Sequence, residues 1–437
     1  MFISLGCDKN LVDTEEMLGI LGAEGYSFTN DEAEADVIVV NSCCFINDAK
    51  EESINTILEM AEYKTTGSLK ALVVTGCLAE RYQDEIIKEI PEVDGVVGTS
   101  SYDKIAEIVK EVLAGKQIKQ FEDLSRLPVI DTYRMVTTGG YYAHLKIAEG
   151  CDKHCTYCII PKIRGKYRSV PMERLIKQAE YLAEIGVKEL ILVAQETTMY
   201  GVDLYGQKSL HVLLEKLCRI SGIKMIRIMY CYPEEIYDEL IDTMANEKKI
   251  CNYLDMPIQH CSDDILKRMG RRTTKAELIA IVNKLRKRIP DIVLRTTLIV
   301  GFPGETEAHH EEMMEFVDEM EFDRLGVFTY SPEEGTPAAM MEDQIGEAVK
   351  AEWRDDIMEL QQEIAFDKSE AMIGRELIVM IEGKIAGEPA YVGRTYMDAP
   401  EIDGSIFVST DEELMSGDLV RVKVTGANEY DLIGEII

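Results

Sequence analysis

Three cysteines lie close together in the middle of the chain, in the segment CDKHCTYC. Cys151, Cys155 and Cys158 have the spacing CxxxCxxC, so one loop can present three thiolates to one face of a metal group. Zinc normally takes four ligands in a closed site, and no fourth Cys or His is spaced to complete one. Three thiolates suit a 4Fe–4S cluster that keeps one iron open for a substrate. The spacing therefore favours a cluster, and a zinc site is the alternative.

Three further cysteines each follow a short apolar run near the start of the chain. Cys7 follows FISLG, Cys43 follows VIVVNS and Cys77 follows ALVVTG. If these runs are parallel strands of one sheet, their carboxyl ends share the edge at which ligands bind in open α/β sheets. We therefore expect the three thiols to converge there, although they are far apart in sequence. The alternative is that each packs as a small buried hydrophobe.

The elements that would position these cysteines divide the chain into blocks. Residues 1–115 alternate apolar runs with helical segments, which predicts an α/β domain with a doubly wound parallel sheet. Residues 116–136 are polar and are interpreted as a linker. Residues 137–368 contain six strand–helix units, two fewer than a full barrel, so we expect an open, partial (βα)6 barrel. The CxxxCxxC loop directly follows the first of these six strands, where barrel chemistry is found.

The last block, residues 369–437, contains about five short β-rich runs separated by Gly and polar turns. This pattern predicts a small antiparallel β-barrel of the oligonucleotide-binding type. In residues 371–437 Asp and Glu outnumber Lys and Arg by 13 to 5. Because nucleic-acid binding depends on Lys and Arg, this balance argues against a general RNA-binding surface.

Composition limits the class of protein. The formal net charge is −33, from 80 acidic and 47 basic residues, and such a surface repels phosphate backbones. No apolar run is long enough for a membrane span, and the first residues do not resemble a signal peptide, so we expect a cytoplasmic protein without membrane contact. In that compartment 11 cysteines indicate metal or redox chemistry before disulfides.

Together, these motifs resemble the radical S-adenosylmethionine (SAM) superfamily and, within it, the methylthiotransferase family. CDKHCTYC resembles the cluster motif of the superfamily, and GCDKNLVDTEEM, NSCCFINDAKEES and TGCLAERY resemble the three cysteine motifs with which the family holds a second 4Fe–4S cluster. The resemblance covers nearly the whole chain. It implies two 4Fe–4S clusters and SAM as cofactors, with metal ligands Cys151, Cys155 and Cys158 for one cluster and Cys7, Cys43 and Cys77 for the other. Cys44 stands where the family usually has a small residue, so we expect it to be a bystander.

Two branches of this family have different clients, an adenosine of tRNA and an aspartate of small-subunit ribosomal protein S twelve. LGCDKNLVDTE, YLDMPIQH, RTTLIVGFPGET and YVGRTYMDAPEIDG resemble the protein-modifying branch, and the last of them resembles its TRAM domain. The resemblance implies a radical SAM enzyme that adds a methylthio group to the β-carbon of that aspartate. It also implies an electron donor such as flavodoxin or ferredoxin as a partner. A tRNA adenosine methylthiotransferase is the first alternative, and a non-enzymatic cluster carrier or zinc-binding scaffold is the second.

No catalytic side chain beyond the cluster cysteines is identified, but four residues are candidates for contacts with SAM. Tyr157 precedes the last cysteine of its loop, and Gln195, beside Glu196, follows the second barrel strand. Arg295 can pair with a carboxylate of the cofactor or take part in a buried ion pair. Gly301 opens the GFPGE turn, whose amides can receive a carboxylate at a helix N-terminus or can serve tight packing.

Overall fold

A computed structural model describes residues 1–130 and 133–437. The part of the predicted linker at positions 131–132 lies outside the described residues. Within the described ranges, no helix is both long and apolar enough to cross a membrane.

The N-terminal block is a five-stranded, fully parallel sheet with the strand order β1-β2-β3-β4-β5. Its elements are β1 (Phe2–Ser4), α1 (Asp8–Ala23), β2 (Val37–Ser42), α2 (Asn47–Thr66), β3 (Ala71–Gly76), α3 (Cys77–Glu89), β4 (Gly95–Val97), α4 (Ile105–Leu113) and β5 (Ile118–Gln120). Alternate strand residues face opposite sides, so Leu72 and Val74 pack under α2 and α3, whereas Val73 packs under α1 and α4. The sheet is thus covered on both faces, as expected for an α/β domain. The prediction that the linker begins at residue 116 was wrong. Residues 118–120 form β5, which pairs with β4 and completes the sheet.

The central block is a six-stranded parallel sheet with the order β13-β12-β11-β10-β9-β6, which confirms the open, partial barrel. Its elements are β6 (Tyr142–Lys146), β7 (Ala148–Glu149), α5 (Ile160–Ile163), β8 (Arg168–Ser169), α6 (Met172–Glu184), β9 (Glu189–Val193), α7 (Val202–Tyr205), α8 (Leu210–Cys218), β10 (Met225–Ile228), α9 (Asp238–Asn246), β11 (Ile250–Asp255), α10 (Asp263–Arg268), α11 (Lys275–Arg288), β12 (Val293–Val300), α12 (Glu307–Met320), β13 (Arg324–Thr329) and α13 (Glu347–Glu370). Leu190 and Leu192 pack under the outer helices, while Ile191 and Val193 face the inside of the barrel.

The C-terminal block is a closed five-stranded barrel. Its strands are β14 (Glu376–Lys384), β15 (Ala390–Arg394), β16 (Ile406–Ser409), β17 (Leu419–Asn428) and β18 (Asp431–Ile436), in the closed order β14-β15-β16-β18-β17. One pairing departs from the antiparallel expectation, since β16 and β18 run parallel.

Both outer blocks pack against the central sheet. Helix α1 contacts β6, which is one open edge of the partial barrel. The C-terminal barrel lies against the amino ends of the central strands, where Glu189 at the start of β9 pairs with Arg227 and with Arg394 of β15. The cysteine loop lies at the opposite, carboxyl ends of the central strands.

Candidate active site

The CxxxCxxC loop runs between β7 and α5 and is fixed by backbone hydrogen bonds. The Cys151 N–H donates to Gly165 O at 3.1 Å, and the Cys158 N–H donates to Cys155 O at 3.0 Å. The Thr156 N–H donates to the carbonyl of Met269, at the end of α10, at 2.9 Å. Cys151 and Cys155 are buried, and Cys158 is half-buried. The three thiols are therefore presented by a loop that is anchored on both sides.

A buried arginine, Arg271, lies beside this loop. Its guanidinium stacks over the ring of Tyr232 at 4.2 Å, and Nη2 donates to Pro257 O at 2.9 Å, while Nε has no partner in the described part of the chain. Burial raises the pKa of Cys158 to about 12, and the charge of Arg271 opposes that rise. Sequence reasoning missed this residue, because the run RMGRRTTK does not indicate which arginine turns inward.

The three N-terminal cysteines meet at the carboxyl edge of their sheet. Cys7 precedes α1, Cys43 directly follows β2, and Cys77 is the first residue of α3. A Cβ atom added to Gly6 would lie 2.8 Å from Cys43 Sγ, so the chain before Cys7 touches the second cysteine. Burial, with a smaller effect from the charges of the neighbouring thiolates, raises the pKa of Cys77 to about 12. Cys43 and Cys77 are buried, and Cys7 is exposed.

Cys44 is buried in the apolar core beneath α2 and α3, near Cys77. Ser53 holds the neighbouring backbone, because its hydroxyl donates to Cys43 O and accepts from Cys43 N, each at 2.9 Å. The side chain of Cys44 packs like a small hydrophobe, and burial raises the pKa of its thiol to about 11.

Both cysteine sets have the chemistry that an iron–sulfur cluster requires. Cluster ligands are thiolates, and a buried thiolate needs a nearby positive charge. Arg271 supplies that charge near Cys158, and the buried Arg164 supplies it near Cys77. In residues 1–130 and 133–437 no three His, Cys, Asp or Glu side chains are arranged to hold a single metal ion. The thiols are the donor type that iron–sulfur clusters use, and a buried arginine lies near each set.

Arg164 connects the two cysteine sites. Its Nη1 lies 2.9 Å from Asp13 of α1 and 3.2 Å from Glu149 of β7, and Nη2 donates to Asn10 Oδ1. Lys146 Nζ pairs with the same two carboxylates, so two cations and two anions are buried together. Asn10 in turn donates to the carbonyls before Cys7 and Cys43, at 3.0 and 3.1 Å.

Two tyrosines after β10 face the two sites separately. The Tyr232 hydroxyl lies 3.7 Å from Cys155 Sγ. The ring of Tyr230 lies 3.3 Å from the Lys9 ammonium, and its hydroxyl donates to Asp8 Oδ2 at 3.2 Å. Tyr230 has a φ of +61°, a strained value for a bulky residue, and Asp255 Oδ2 accepts its N–H at 2.9 Å. The strand end is therefore held so that Tyr230 reaches the N-terminal block.

Two of the four predicted SAM contacts, Tyr157 and Gln195, lie near the core loop together with Glu196. Burial raises the pKa of Glu196 to about 7. Its Oε1 accepts the Thr198 N–H at 3.0 Å, while Glu196 Oε2 and Gln195 Oε1 have no partner among the described residues. Tyr157 packs edge-to-face on Phe302, with ring centres 6.4 Å apart. Gln195 and Tyr157 therefore stay candidates, and Glu196 joins them.

The structure favours the alternatives for the other two candidates. Arg295 pairs with Asp255 at 2.9 Å and with Asp403 of the C-terminal block at 3.4 Å, which satisfies its charge. Gly301 has a φ of +73°, and a Cβ there would lie 2.2 Å from Lys350 Cγ. The amide of Phe302, next along the turn, already donates to Glu305 Oε2 at 2.9 Å. These contacts engage the Arg295 side chain and fix the Gly301 turn, and SAM contacts at both positions stay predictions.

Comparison with family models gives three matches along the chain. Residues 1–98 match the uncharacterized protein family UPF0004, residues 145–317 match the radical SAM superfamily, and residues 373–437 match the TRAM domain. Among solved structures, the radical SAM methyltransferase TsrM from Kitasatospora setae is similar in fold, with a TM-score of 0.54 at 14% identity, over 72% of this chain and 69% of that chain.

Curated relatives match over nearly the full length. The chain is 66% identical to a protein of Lachnoclostridium phytofermentans named ribosomal protein uS12 methylthiotransferase RimO, over 99% of this chain and 98% of that protein. Proteins of the same name from Acetivibrio thermocellus and Clostridium perfringens are 53% and 52% identical, over 100% and 99% of this chain and 97% of each relative.

Proposed function

The chain belongs to the RimO family of ribosomal protein uS12 methylthiotransferases, and from that membership we propose that it modifies uS12. In this reaction the enzyme uses SAM to add a methylthio group to the β-carbon of an aspartate. The observation that carries this proposal is the presence of two cysteine triads on either side of one junction, each with a buried arginine.

Cys151, Cys155 and Cys158 would hold the cluster of the radical SAM core, and Cys7, Cys43 and Cys77 would hold a second cluster. When bound, the first cluster would supply the electron that cleaves SAM, and the second would hold the sulfur that is transferred. Radical chemistry can break an unactivated C–H bond, whereas side chains that act as acids or bases cannot.

The chain's own side chains would then bind and orient SAM. Glu196, when ionised, offers the free Oε2 to the methionine ammonium group of SAM, and Gln195 Oε1 is a second free acceptor beside it. Tyr157 and Phe302 form an apolar wall beside the loop that keeps water away from the cysteines. The electron would come from a small donor protein such as flavodoxin or ferredoxin.

The charge of the C-terminal barrel supports a protein client over tRNA. Asp411, Glu412 and Glu413 are exposed in a block where acidic residues outnumber basic ones by 13 to 5. A basic ribosomal protein segment would be attracted to such a surface, and the attraction would weaken with salt. A phosphate backbone would be repelled.

The deciding experiment is mass spectrometry of uS12 and of bulk tRNA, each incubated with the reconstituted enzyme, SAM and a reductant. We expect one methylthio group on one aspartate of uS12 and no change in tRNA. A methylthio group on tRNA alone would contradict the proposal.

Charge reversal at the C-terminal barrel tests the proposed client surface. Changing Asp411, Glu412 and Glu413 to Lys should weaken uS12 binding and improve tRNA binding. The same reversal at the exposed residues Glu85, Glu89 and Glu111 of the N-terminal block is the control and should have a smaller effect.

A further inference from the structure

Lys9 is a buried cation that has no salt bridge in the described part of the chain. It is the second residue of α1, two positions after Cys7, and its relative exposure is 6%. Its ammonium lies over the Tyr230 ring at 3.3 Å, and no carboxylate in residues 1–130 and 133–437 forms an ion pair with it. The other buried lysine of this junction, Lys146, differs because it pairs with both Asp13 and Glu149. Cys7 and Asp8 lie near enough to act on the charge of Lys9, but neither is paired with it, and a buried ammonium without an ion-pair partner is costly unless a ligand supplies the anion.

The nearest acidic residue is engaged elsewhere. The carboxylate of Asp8 accepts a hydrogen bond from the Tyr230 hydroxyl at 3.2 Å and lies 3.6 Å from His144 Nε2. Tyr230 is held in its strained conformation by Asp255 and by Thr197, whose N–H donates to Tyr230 O at 3.0 Å. The fold therefore keeps an aromatic platform under Lys9 and leaves the ammonium available to an incoming group.

The location of Lys9 matches the place that the substrate must occupy. Tyr230, under Lys9, and Tyr232, beside Cys155, are two residues apart at the end of one strand. A residue that loses hydrogen at the core site and gains sulfur from the N-terminal site has to lie between them. The side chain of the modified residue would therefore enter this space. In an aspartate that side chain ends in a carboxylate, which can pair with the Lys9 ammonium.

We infer that Lys9 binds the carboxylate of the target aspartate and holds the residue between the two cysteine sites. This inference rests on the proposed function and deepens it, because it assigns the recognition of the modified side chain to one residue. Tyr230 is the positioning residue that places the ammonium.

The test compares two peptides of the uS12 loop, one with the target Asp and one with Asn in its place. Binding to the cluster-loaded enzyme with SAM, and without reductant, is measured by fluorescence anisotropy. We expect the wild-type enzyme to bind the Asp peptide about 10- to 100-fold more tightly, as one desolvated ion pair provides. Lys9→Met, which keeps the length of the side chain and removes the charge, should bring this ratio close to one, whereas Lys9→Arg should keep a preference for Asp.

Iron content, SAM cleavage and uS12 modification distinguish a loss of substrate recognition from a folding defect and from a failure of the proposed function. Iron content and peptide-independent SAM cleavage should be unchanged in Lys9→Met, and Lys88→Met, at a lysine whose side chain is 80% exposed, is the matched control. Lys9→Gln is the second variant if Lys9→Met does not fold. Equal binding of the two peptides by the wild-type enzyme, or a Lys9→Met enzyme that keeps the wild-type ratio, would overturn the inference while uS12 is still modified. Failure of the wild-type enzyme to modify uS12 would overturn the proposed function and this inference together.

Discussion

The two cysteine sites are built in opposite ways. The core site is one loop, in which Cys151, Cys155 and Cys158 lie within eight residues and are held by backbone hydrogen bonds within the central block. The N-terminal site takes one cysteine from each of three strand ends, so it exists only when the parallel sheet has formed. The core site should therefore tolerate disturbance of the N-terminal sheet, whereas the N-terminal site should not. Arg164 is the exception to this independence, because it pairs with Glu149, two residues before Cys151, and donates to Asn10 beside the N-terminal cysteines.

The largest effects are expected from removing each set of cysteines. Replacing Cys151, Cys155 and Cys158 with Ala should abolish reductive SAM cleavage while about half of the iron remains. Replacing Cys7, Cys43 and Cys77 with Ala should leave SAM cleavage intact and abolish methylthio transfer. Iron and sulfide analysis and product assays check both variants. If all six cysteines prove necessary for one and the same cluster, the two-site comparison fails.

The second prediction concerns Arg164, the link between the sites. Arg164→Met leaves Asp13 and Glu149 with Lys146 as their one cation, so a buried carboxylate loses its compensation. The free energy of unfolding should fall by about 3–5 kcal/mol, as for other broken buried ion pairs. Arg421→Met removes the exposed pair with Glu376 and should cost at most about 1 kcal/mol. Urea denaturation measures both, and equal costs would show that Arg164 does not stabilise the junction.

Sequence patterns predicted where the cysteines lie in the fold, but they did not predict the side chains that surround them. The strands of the barrel and the convergence of Cys7, Cys43 and Cys77 follow from strand periodicity, because parallel strands place their carboxyl ends at one edge. Arg271, Lys9 and Tyr230 could not be found in this way, since their roles depend on contacts between segments far apart in sequence. The partners of Arg295 and Gly301 were also beyond sequence reasoning, because the carboxylate of Asp403 and the side chain of Lys350 come from distant parts of the chain. Strand β5 was missed because three residues with a polar composition carry little signal.

A smaller effect is expected at Gly76, the last residue of β3, which directly precedes Cys77. Its φ is +89°, and a Cβ there would lie 2.3 Å from Asn41 Oδ1 and 2.5 Å from Ser42 O. Gly115 has a φ of +80° with nothing within 4 Å, so Gly115→Ala reports the conformational cost alone. Gly76→Ala should destabilise the protein by about 1–3 kcal/mol more than Gly115→Ala, because backbone and side chain have to move. Iron should be lost from the N-terminal site while SAM cleavage continues, and loss of SAM cleavage would contradict the independence of the core site.

The smallest effect is expected at Cys44, which tests how strictly the N-terminal site selects its ligands. Adjacent residues of an extended chain point to opposite faces, so Cys43 and Cys44 cannot easily reach the same cluster. Cys44 lies fully buried in the apolar core with Ile38 and Leu72. Cys44→Ala removes one buried sulfur atom and should lower the free energy of unfolding by about 1 kcal/mol. Iron content and methylthio transfer should be unchanged. Cys43→Ala is the matched variant and should lose the N-terminal iron. The opposite result, with iron lost from Cys44→Ala and kept in Cys43→Ala, would make Cys44 the ligand and would mean that the strand end turns over when the cluster binds.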